Sequence, residues 1–169
     1  MAIRTKTRAH RAANRKLTGA SATPDALALL KADHKEVKAW FNQYEDLSDN
    51  AQKAALVAKI CLALKVHTTI EEEIFYPAAR QATKDNALLD EANVEHACAK
   101  DLLAQIEAMK VGENLFDAKV RVLGEQIKHH VKEEEDELFP EAREAKMDLK
   151  GLGSRMAARK AELIRQLGK

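Results

Sequence analysis

The sequence predicts an all-α protein, an antiparallel up-down-up-down four-helix bundle with a short C-terminal accessory helix. The composition favours Ala, Leu, Lys and Glu, and aromatic residues make up 4% of the chain, whereas strands favour β-branched and aromatic residues. Four long segments repeat apolar residues every three or four positions, as bundle helices do. Connections of a few residues join these segments, so consecutive helices should lie antiparallel.

Start and stop signals bound the first two helices. The stretch TPDALALL opens the first helix, because Thr23 can cap it, Pro24 fits the first helical position and Asp25 suits the positive end of the helix dipole. The stretch DLSDNAQ separates it from the second helix, which Pro77 perturbs or ends. The two apolar stripes are Leu27, Leu30, His34, Val37, Phe41 and Tyr44, and Leu56, Ile60, Ala63, His67, Ile70 and Ile74.

The second half of the chain repeats this arrangement. Asp85 in the connection TKDNA is the predicted cap of the third helix, and Gly112 is a natural stop after it. A last helix is predicted from about Ser154 to Leu167. The chain thus divides into an N-terminal arm (1–23), a bundle (24–148) and the accessory helix region (149–169). The two further stripes are Leu89, Ala92, His96, Ala99, Leu103 and Ile106, and Val120, Leu123, Ile127, His130, Glu134 and Leu138.

Two similar blocks stand out inside these helices. HTTIEEEIFYP begins at His67, and HHVKEEEDELFP ends at Pro140. In each block a histidine is followed four residues later by a glutamate and ten residues later by a proline. A lone histidine precedes each block, His34 in the first half and His96 in the second. The chain is therefore an internal repeat of two helix pairs.

The repeat predicts a metal centre in the bundle core. Residues four apart share one helical face, so each block points an imidazole and a carboxylate inward together. Such groups cannot stay unpaired in an apolar interior, and divalent metal ions accept neutral imidazole and carboxylate as ligands. Two ions, bridged by the carboxylates, would use all six groups. The predicted ligands are His34, His67, Glu71, His96, His130 and Glu134.

Other polar residues fit this pattern less well. A single histidine in a protein core is usually a hydrogen-bonded residue and not a metal ligand. Metal binding is favoured here because all six residues recur at matching positions of the repeat. His129 is one residue off the stripe and is predicted to lie on its flank. Both cysteines, Cys61 and Cys98, are predicted to be packing residues. The acidic residues beside the blocks are predicted to form a solvated face, although one of them could contact a metal-ligating side chain from outside. They are Glu72, Glu73, Glu133 and Glu135.

A strongly basic segment opens the chain. Residues 1–23 hold six Lys or Arg residues and no acidic residue, while the remainder carries 22 basic and 27 acidic residues. Such a segment can attract nucleic acid, but the absence of aromatic residues favours a solvated arm. No apolar run is long enough to span a membrane, and no apolar segment follows the charges as in a secretory signal. Two cysteines do not make a disulfide framework, so the predicted compartment is the cytoplasm.

The order of the lone histidines and His-x3-Glu blocks resembles the hemerythrin-like, HHE cation-binding domain over about residues 24–148. The resemblance implies a four-helix bundle around a non-haem pair of iron ions with an oxo or hydroxo bridge, held by the six residues above. Oxygen-carrying hemerythrins add a histidine where this chain has Lys100, and an aspartate where it has Glu135. The chain is more similar to a symmetric, six-ligand bacterial type, for which simple reversible oxygen carriage is not expected.

The expected function is that of a di-iron protein that reacts with or senses oxygen, peroxide or nitric oxide in stress protection or iron handling. Two alternatives stay open, a peroxide-decomposing enzyme and a passive iron or zinc store. Zinc and manganese are the alternative metals. The sequence shows no nucleotide motif and no nucleophile triad, so no catalytic residue is assigned. It leaves the oligomeric state and enzyme status open.

Overall fold

All regular structure in the computed structural model, which describes residues 23–83 and 86–168, is helical. Two π-helical turns join α2 to α3 and α5 to α6; they are the first π segment (Glu71–Phe75) and the second π segment (Glu134–Leu138). None of the helices in these two ranges is long and apolar enough to cross a bilayer. The helices are α1 (Ala26–Asp46), α2 (Asn50–Ile70), α3 (Tyr76–Ala82), α4 (Ala87–Glu107), α5 (Phe116–Glu133), α6 (Phe139–Glu144) and α7 (Leu149–Leu167).

The predicted four-helix bundle is confirmed. Helix α1 packs against α2 and α5, and α4 packs against α5 and α2. Asp25, and not the predicted Thr23, caps α1, because its carboxylate accepts a hydrogen bond from the Ala28 N–H at 2.8 Å. The predicted cap Asp85 and residues 1–22 of the predicted arm lie outside the described residues.

The helices that carry the two blocks continue past their prolines. A proline ring in an α-helix clashes with the carbonyl four residues earlier, and Pro77 and Pro140 each follow a π segment by two residues. In the first π segment the Tyr76 N–H donates to the carbonyl of Glu71, five residues earlier, and the second π segment repeats this bond. The wider turns therefore let each helix pass its proline. Such turns often mark functional sites.

The C-terminal helix is longer than predicted and belongs to the core. Helix α7 has 19 residues and begins at Leu149, after the cap Asp148. It packs on α1 and α2 through an apolar stripe. Gly153 permits the close approach, since a Cβ there would lie 2.7 Å from the Ala26 nitrogen. The buried residues of the stripe are Leu152, Met156 and Leu163.

Two apolar clusters fill the bundle. The first includes Phe75, Tyr76, Phe139 and the α7 stripe, and the second includes Val37 and Leu64. Buried polar residues lie where the two clusters meet. One prediction about packing is wrong: Cys61 is buried in the second cluster, but Cys98 is exposed because it lies on the outer face of α4.

Candidate metal centre

All six predicted ligand residues are buried in one region of the bundle. Each of the helices α1, α2, α4 and α5 contributes one histidine, and the first residue of each π segment is a glutamate. The glutamates are the most unusual, because Glu71 is 0% exposed and Glu134 is 2% exposed. Carboxylates are rarely buried to this degree without a partner. The six residues are His34, His67, Glu71, His96, His130 and Glu134.

The histidines form two pairs. His34 and His67 make the first pair, with 3.1 Å between their Nε2 atoms. His96 and His130 make the second pair, also with 3.1 Å between their Nε2 atoms. The four inner nitrogens therefore converge on the bundle axis, two and two.

Glu71 lies between the two pairs. Its Oε2 atom is 3.1 Å from His67 Nε2 and 3.4 Å from His96 Nε2. Neither contact has the direction of a hydrogen bond, and no other donor in the described residues reaches either Glu71 oxygen. A buried carboxylate without donors is costly unless a cation is bound.

Glu134 also approaches both pairs, and a tyrosine holds one of its oxygens. Its Oε2 atom is 3.2 Å from His34 Nε2 and 3.6 Å from His130 Nε2. The Tyr76 hydroxyl donates a hydrogen bond of 2.9 Å to Glu134 Oε1 and lies 3.3 Å from His96 Nε2. This leaves Glu134 Oε2 without a donor, facing the histidines.

Every one of the four histidines has a carboxylate at its outer nitrogen, Nδ1. These contacts keep a proton on Nδ1, so each imidazole, when neutral as a metal ligand, would turn its Nε2 lone pair inward. Two inward lone pairs 3.1 Å apart cannot hydrogen-bond to each other, but both can bind a cation. The contacts are Asp33 with His67 at 3.4 Å, Glu72 with His96 at 3.0 Å, Glu95 with His130 at 2.7 Å and Glu135 with His34 at 2.9 Å.

A cationic or basic group lies beside each of these outer carboxylates. The one at Asp33 comes from the C-terminal helix, where Lys160 donates to the carboxylate. Each histidine thus begins a chain of imidazole, carboxylate and base that runs outward from the core. The other three groups are Lys31 at 3.7 Å from Glu135, Lys100 at 2.6 Å from Glu72 and His129 at 3.6 Å from Glu95.

Without a metal ion, the charges of the site strongly perturb one another. Burial lowers the pKa of His67, but the charge of Glu71 and the bond to Asp33 override it and raise the pKa to about 10. Burial raises the pKa of Glu71, but the His67 charge holds it well below its usual range. Burial and the charges of Glu71 and Glu134 raise the pKa of Tyr76, so its hydroxyl stays protonated. The protonated His67 imidazole and the Glu71 carboxylate therefore stabilise each other's charge.

The donor set fits metal ions. Oxygen and nitrogen atoms from His34, His67, Glu71 and Glu134 lie within 4.8 Å of one another, and so do those from Glu71, His96 and His130. Glu71 belongs to both groups. Two neighbouring cation positions with a shared carboxylate are what such an arrangement supports.

Sequence reasoning missed Asp33, Glu95 and Tyr76, and it placed Glu72 and Glu135 in an acidic face of which only one member was expected to reach the site. Glu72 and Glu135 are half-buried bonding partners of histidines, whereas Glu73 is exposed, as expected of a solvated face. A signal was present: Asp33 and Glu95 directly precede the lone histidines, and Glu72 and Glu135 directly follow the block glutamates. The repeat therefore extends to the second layer of the site.

Comparisons with known proteins agree with this architecture. The family model described as "Hemerythrin HHE cation binding domain" matches residues 25–142. The crystal structure of a hemerythrin HHE cation binding domain-containing protein from Mycobacterium kansasii superposes with a TM-score of 0.71, at 27% identity, covering 83% of this chain and 87% of that one.

A curated relative is larger. A protein named DNA nickase, from Nostoc sp. (strain PCC 7120 / SAG 25.82 / UTEX 2576), is 29% identical over 111 residues, which are 66% of this chain. The match covers 31% of the Nostoc protein, so this chain corresponds to about a third of it. The family match spans most of the chain, and the chain belongs to the hemerythrin HHE cation-binding domain family.

Proposed function

We propose that this chain is a non-haem di-iron protein whose buried centre reacts with or senses oxygen, peroxide or nitric oxide, in stress protection or iron handling. The observation that carries the proposal is the inward convergence of four Nε2 atoms on two carboxylates that lack enough donors, Glu71 and Glu134. Bound cations remove the cost of burying such a set.

Each histidine pair would hold one iron ion. The first pair lies close to both Glu71 and Glu134, and the second pair lies close to Glu71. Glu134 Oε2 is farther from the second pair, at 3.6 Å from His130 Nε2. The chain therefore offers four inner donors to the first position and fewer to the second, which leaves room for water or a small ligand.

The inner donors are nitrogen and oxygen only, a set that suits iron and also binds zinc. Carboxylates at the outer nitrogens make the imidazoles more basic, which stabilises a higher oxidation state. When bound, an iron pair supplies one-electron redox chemistry toward oxygen, peroxide or nitric oxide. The packed side chains around the site exclude bulk water.

Metal analysis combined with rapid mixing tests this proposal. Protein purified without added metal should contain two iron ions per chain. The anaerobically reduced form should gain the near-ultraviolet bands of a ferric pair when mixed with air-saturated buffer. No spectral change over minutes, with two irons bound, would reduce the function to metal binding. Zinc in place of iron would support the storage alternative.

Tyr76 favours peroxide decomposition as a second candidate function. Reductive cleavage of a peroxide O–O bond takes two electrons, which a bound iron pair would supply, and a hydrogen-bond donor at the departing oxygen. The buried Tyr76 hydroxyl, held beside Glu134 and His96, would be that donor. Rapid peroxide loss at low protein concentration would support an enzyme. A Tyr76→Phe variant with full metal content and an unchanged rate would exclude this role for the hydroxyl.

The similarity to a protein named DNA nickase and the basic composition of residues 1–23 support a separate proposal, nucleic-acid contact through those residues. The intact protein should then bind duplex DNA with a strong salt dependence, and a variant that lacks residues 1–20 should not. Both forms should keep their metal content. Absence of binding by the intact protein at low salt would end this proposal.

A further inference from the structure

Three of the four outer carboxylates of the candidate centre have a lysine ammonium beside them. These pairs are Lys160 with Asp33, Lys100 with Glu72 and Lys31 with Glu135. The fourth carboxylate, Glu95, has no lysine or arginine within ion-pair distance in residues 23–83 and 86–168. Its charged contacts there are with His129 and His130. Glu95 is therefore the outer carboxylate that lacks a permanent cation from the part of the chain that the structure describes.

The last helix accounts for this difference between the halves. Glu95 has the same place in the repeat as Asp33, directly before a lone histidine. In the first half, α7 packs on α1 and α2 and brings Lys160 to Asp33. In the second half, Val94 of α4 is 64% exposed and Val122 of α5 is 52% exposed. The outer surface of α4 and α5 is thus open to solvent where that of α1 and α2 is covered.

Polar residues replace buried apolar ones on this open surface. Counted from the histidine of each block, His129 stands where the first half has Val66. In the same way, Glu133 stands where the first half has Ile70. Val66 and Ile70 are buried in the first apolar cluster, together with the stripe of α7. The second half therefore places an imidazole and a further carboxylate beside Glu95, where the first half has apolar packing.

The three side chains converge on one point of the surface. The His129 Nε2 atom lies 3.2 Å from Glu133 Oε1 and 3.6 Å from Glu95 Oε1. One ligand atom from each of the three residues lies within 4.8 Å of the other two. Glu95 contacts His130 Nδ1 through its other oxygen, Oε2, at 2.7 Å. Its Oε1 atom therefore remains available to the surface cluster.

Two carboxylates and one imidazole are suitable ligands for a divalent transition-metal ion. Imidazole and carboxylate both bind zinc, and open zinc sites combine three protein ligands with solvent. The two carboxylate side chains are 23% and 26% exposed, whereas that of His129 is 62% exposed, so the cluster is open to solvent on the imidazole side. A divalent ion would also offset the repulsion between two neighbouring carboxylates that have no lysine beside them.

We propose that Glu95, His129 and Glu133 form a separate surface site for a divalent transition-metal ion such as zinc. The ion would take the place that the Lys160 ammonium holds in the first half, and solvent would complete its coordination. The site does not depend on which metal the buried centre holds. It has three ligands and is exposed, so it binds zinc more weakly than the buried centre and loses the ion on desalting.

Calorimetric titration of the purified, desalted protein with zinc tests the surface site. The unaltered protein should bind one zinc ion more per chain than His129→Gln, which lacks the imidazole. Glu133→Gln should lose the same binding step. His129→Lys should lose it as well, because an ammonium group would then replace the ion. Glu125→Gln is the matched control, since it removes an exposed carboxylate from the same helix and should keep the step.

Thermal unfolding of each variant without zinc is measured first, and exchange of these solvent-accessible side chains should leave the fold intact. Retention of the binding step by any of the three site variants overturns the proposal, because the zinc then binds elsewhere. Loss of the step in Glu125→Gln also overturns it, since the zinc is then attracted by surface charge alone. A buried centre that holds no iron would take up zinc equally in all variants. The difference between them would persist, so the surface site and the proposed function fail separately.

Discussion

The first and second halves of the candidate centre come from a repeated sequence but differ in their surroundings. Each half has two histidines with Nε2 atoms 3.1 Å apart and a carboxylate at every Nδ1. The repeat places Tyr76 and Phe139 at equivalent positions, one residue before each proline. The Tyr76 ring stacks on His96 in the second half, and the Phe139 ring stacks on His34 in the first. Only the second half therefore has a hydroxyl beside its histidines.

The outer contacts differ as well. In the first half, Lys160 of α7 donates to Asp33, the partner of His67. Arg159 of the same helix also bonds Glu73 in the first π segment, at 2.7 Å. The corresponding outer group of the second half is the exposed His129. The difference indicates that α7 supports the first half of the centre. The six ligand residues repeat between the halves, whereas the residues around them do not.

Removal of an inner residue should have the largest effect. His67→Ala removes a donor from one half, whereas Glu134→Ala removes a carboxylate that approaches both. We expect each to lower metal affinity more than the roughly 10- to 100-fold that follows loss of an outer partner. Glu134→Ala should reduce total metal content further than His67→Ala. Equal retention of two metal ions by both variants would contradict the ligand assignment.

Removal of the metal should also destabilise the whole bundle. A ligand at about 1,000 times its dissociation constant stabilises the native state by about 4 kcal/mol. For a chain of this length that corresponds to about 8–16 °C in melting temperature. Calorimetry of the holo protein and of chelator-treated protein measures the difference. Coincident melting curves would indicate an exposed, adventitious site.

Exchange of the two aromatic residues tests the difference between the halves directly. Tyr76→Phe leaves Glu134 Oε1 without its 2.9 Å hydrogen bond and should cost about 1–3 kcal/mol in the metal-free protein. Phe139→Tyr should bring a hydroxyl to the first half. If the hydroxyl matters for peroxide, Tyr76→Phe lowers the rate of peroxide loss. Tyr44→Phe is the matched control, because its hydroxyl bonds Asp117 in the other apolar cluster. An equal effect of the control on that rate would contradict the assignment.

The six predicted ligand residues could be found from the sequence because they recur at the same spacings in both halves of the repeat. The family and the four-helix bundle were predicted correctly, and the structure brings all six predicted residues together. The outer carboxylates were harder to predict. Glu95 resembles any acidic residue on a helix until α5 places His130 Nδ1 at 2.7 Å from it. Which acidic residues meet a histidine depends on the rotation and offset of neighbouring helices, and a single sequence does not state these.

Local signals misled where tertiary contacts override them. Pro77 predicted a perturbed or ended helix, and the perturbation is a widened π-helical turn before Pro77, after which the chain stays helical to Ala82. The last helix was predicted to start near Ser154, after the stretch LKGLGS that contains Gly151 and Gly153. Gly153 is instead needed inside α7, because a side chain there would collide with the backbone at the start of α1. Helix propensity describes only the free energy that glycine costs within the helix, and it does not include the close helix packing that glycine permits.

Loss of the α7 contact should have a small effect confined to one half. Lys160→Met removes the cation at Asp33, and Lys100→Met removes the one at Glu72 in the second half. Exposed ion pairs contribute up to about 1 kcal/mol, so metal affinity should fall by no more than about fivefold. The Lys160 pair is less exposed and should matter more. Stepwise titration of the metal-free variants with zinc measures each position. Loss from the same position in both variants would contradict the separation of the halves.

The smallest effect is expected for His129→Ala. The His129 side chain is 62% exposed, and its Nε2 atom is 3.2 Å from Glu133 and 3.6 Å from Glu95. Glu95 keeps its 2.7 Å contact with His130 Nδ1 when His129 is removed, so the imidazole stays oriented. Metal content and melting temperature should therefore match those of the unaltered protein. The same zinc titration could instead show a larger loss of metal affinity for His129→Ala than for Lys160→Met. The outer contacts of the second half would then matter at least as much as those of the first. The difference between the halves would lie in Tyr76 alone.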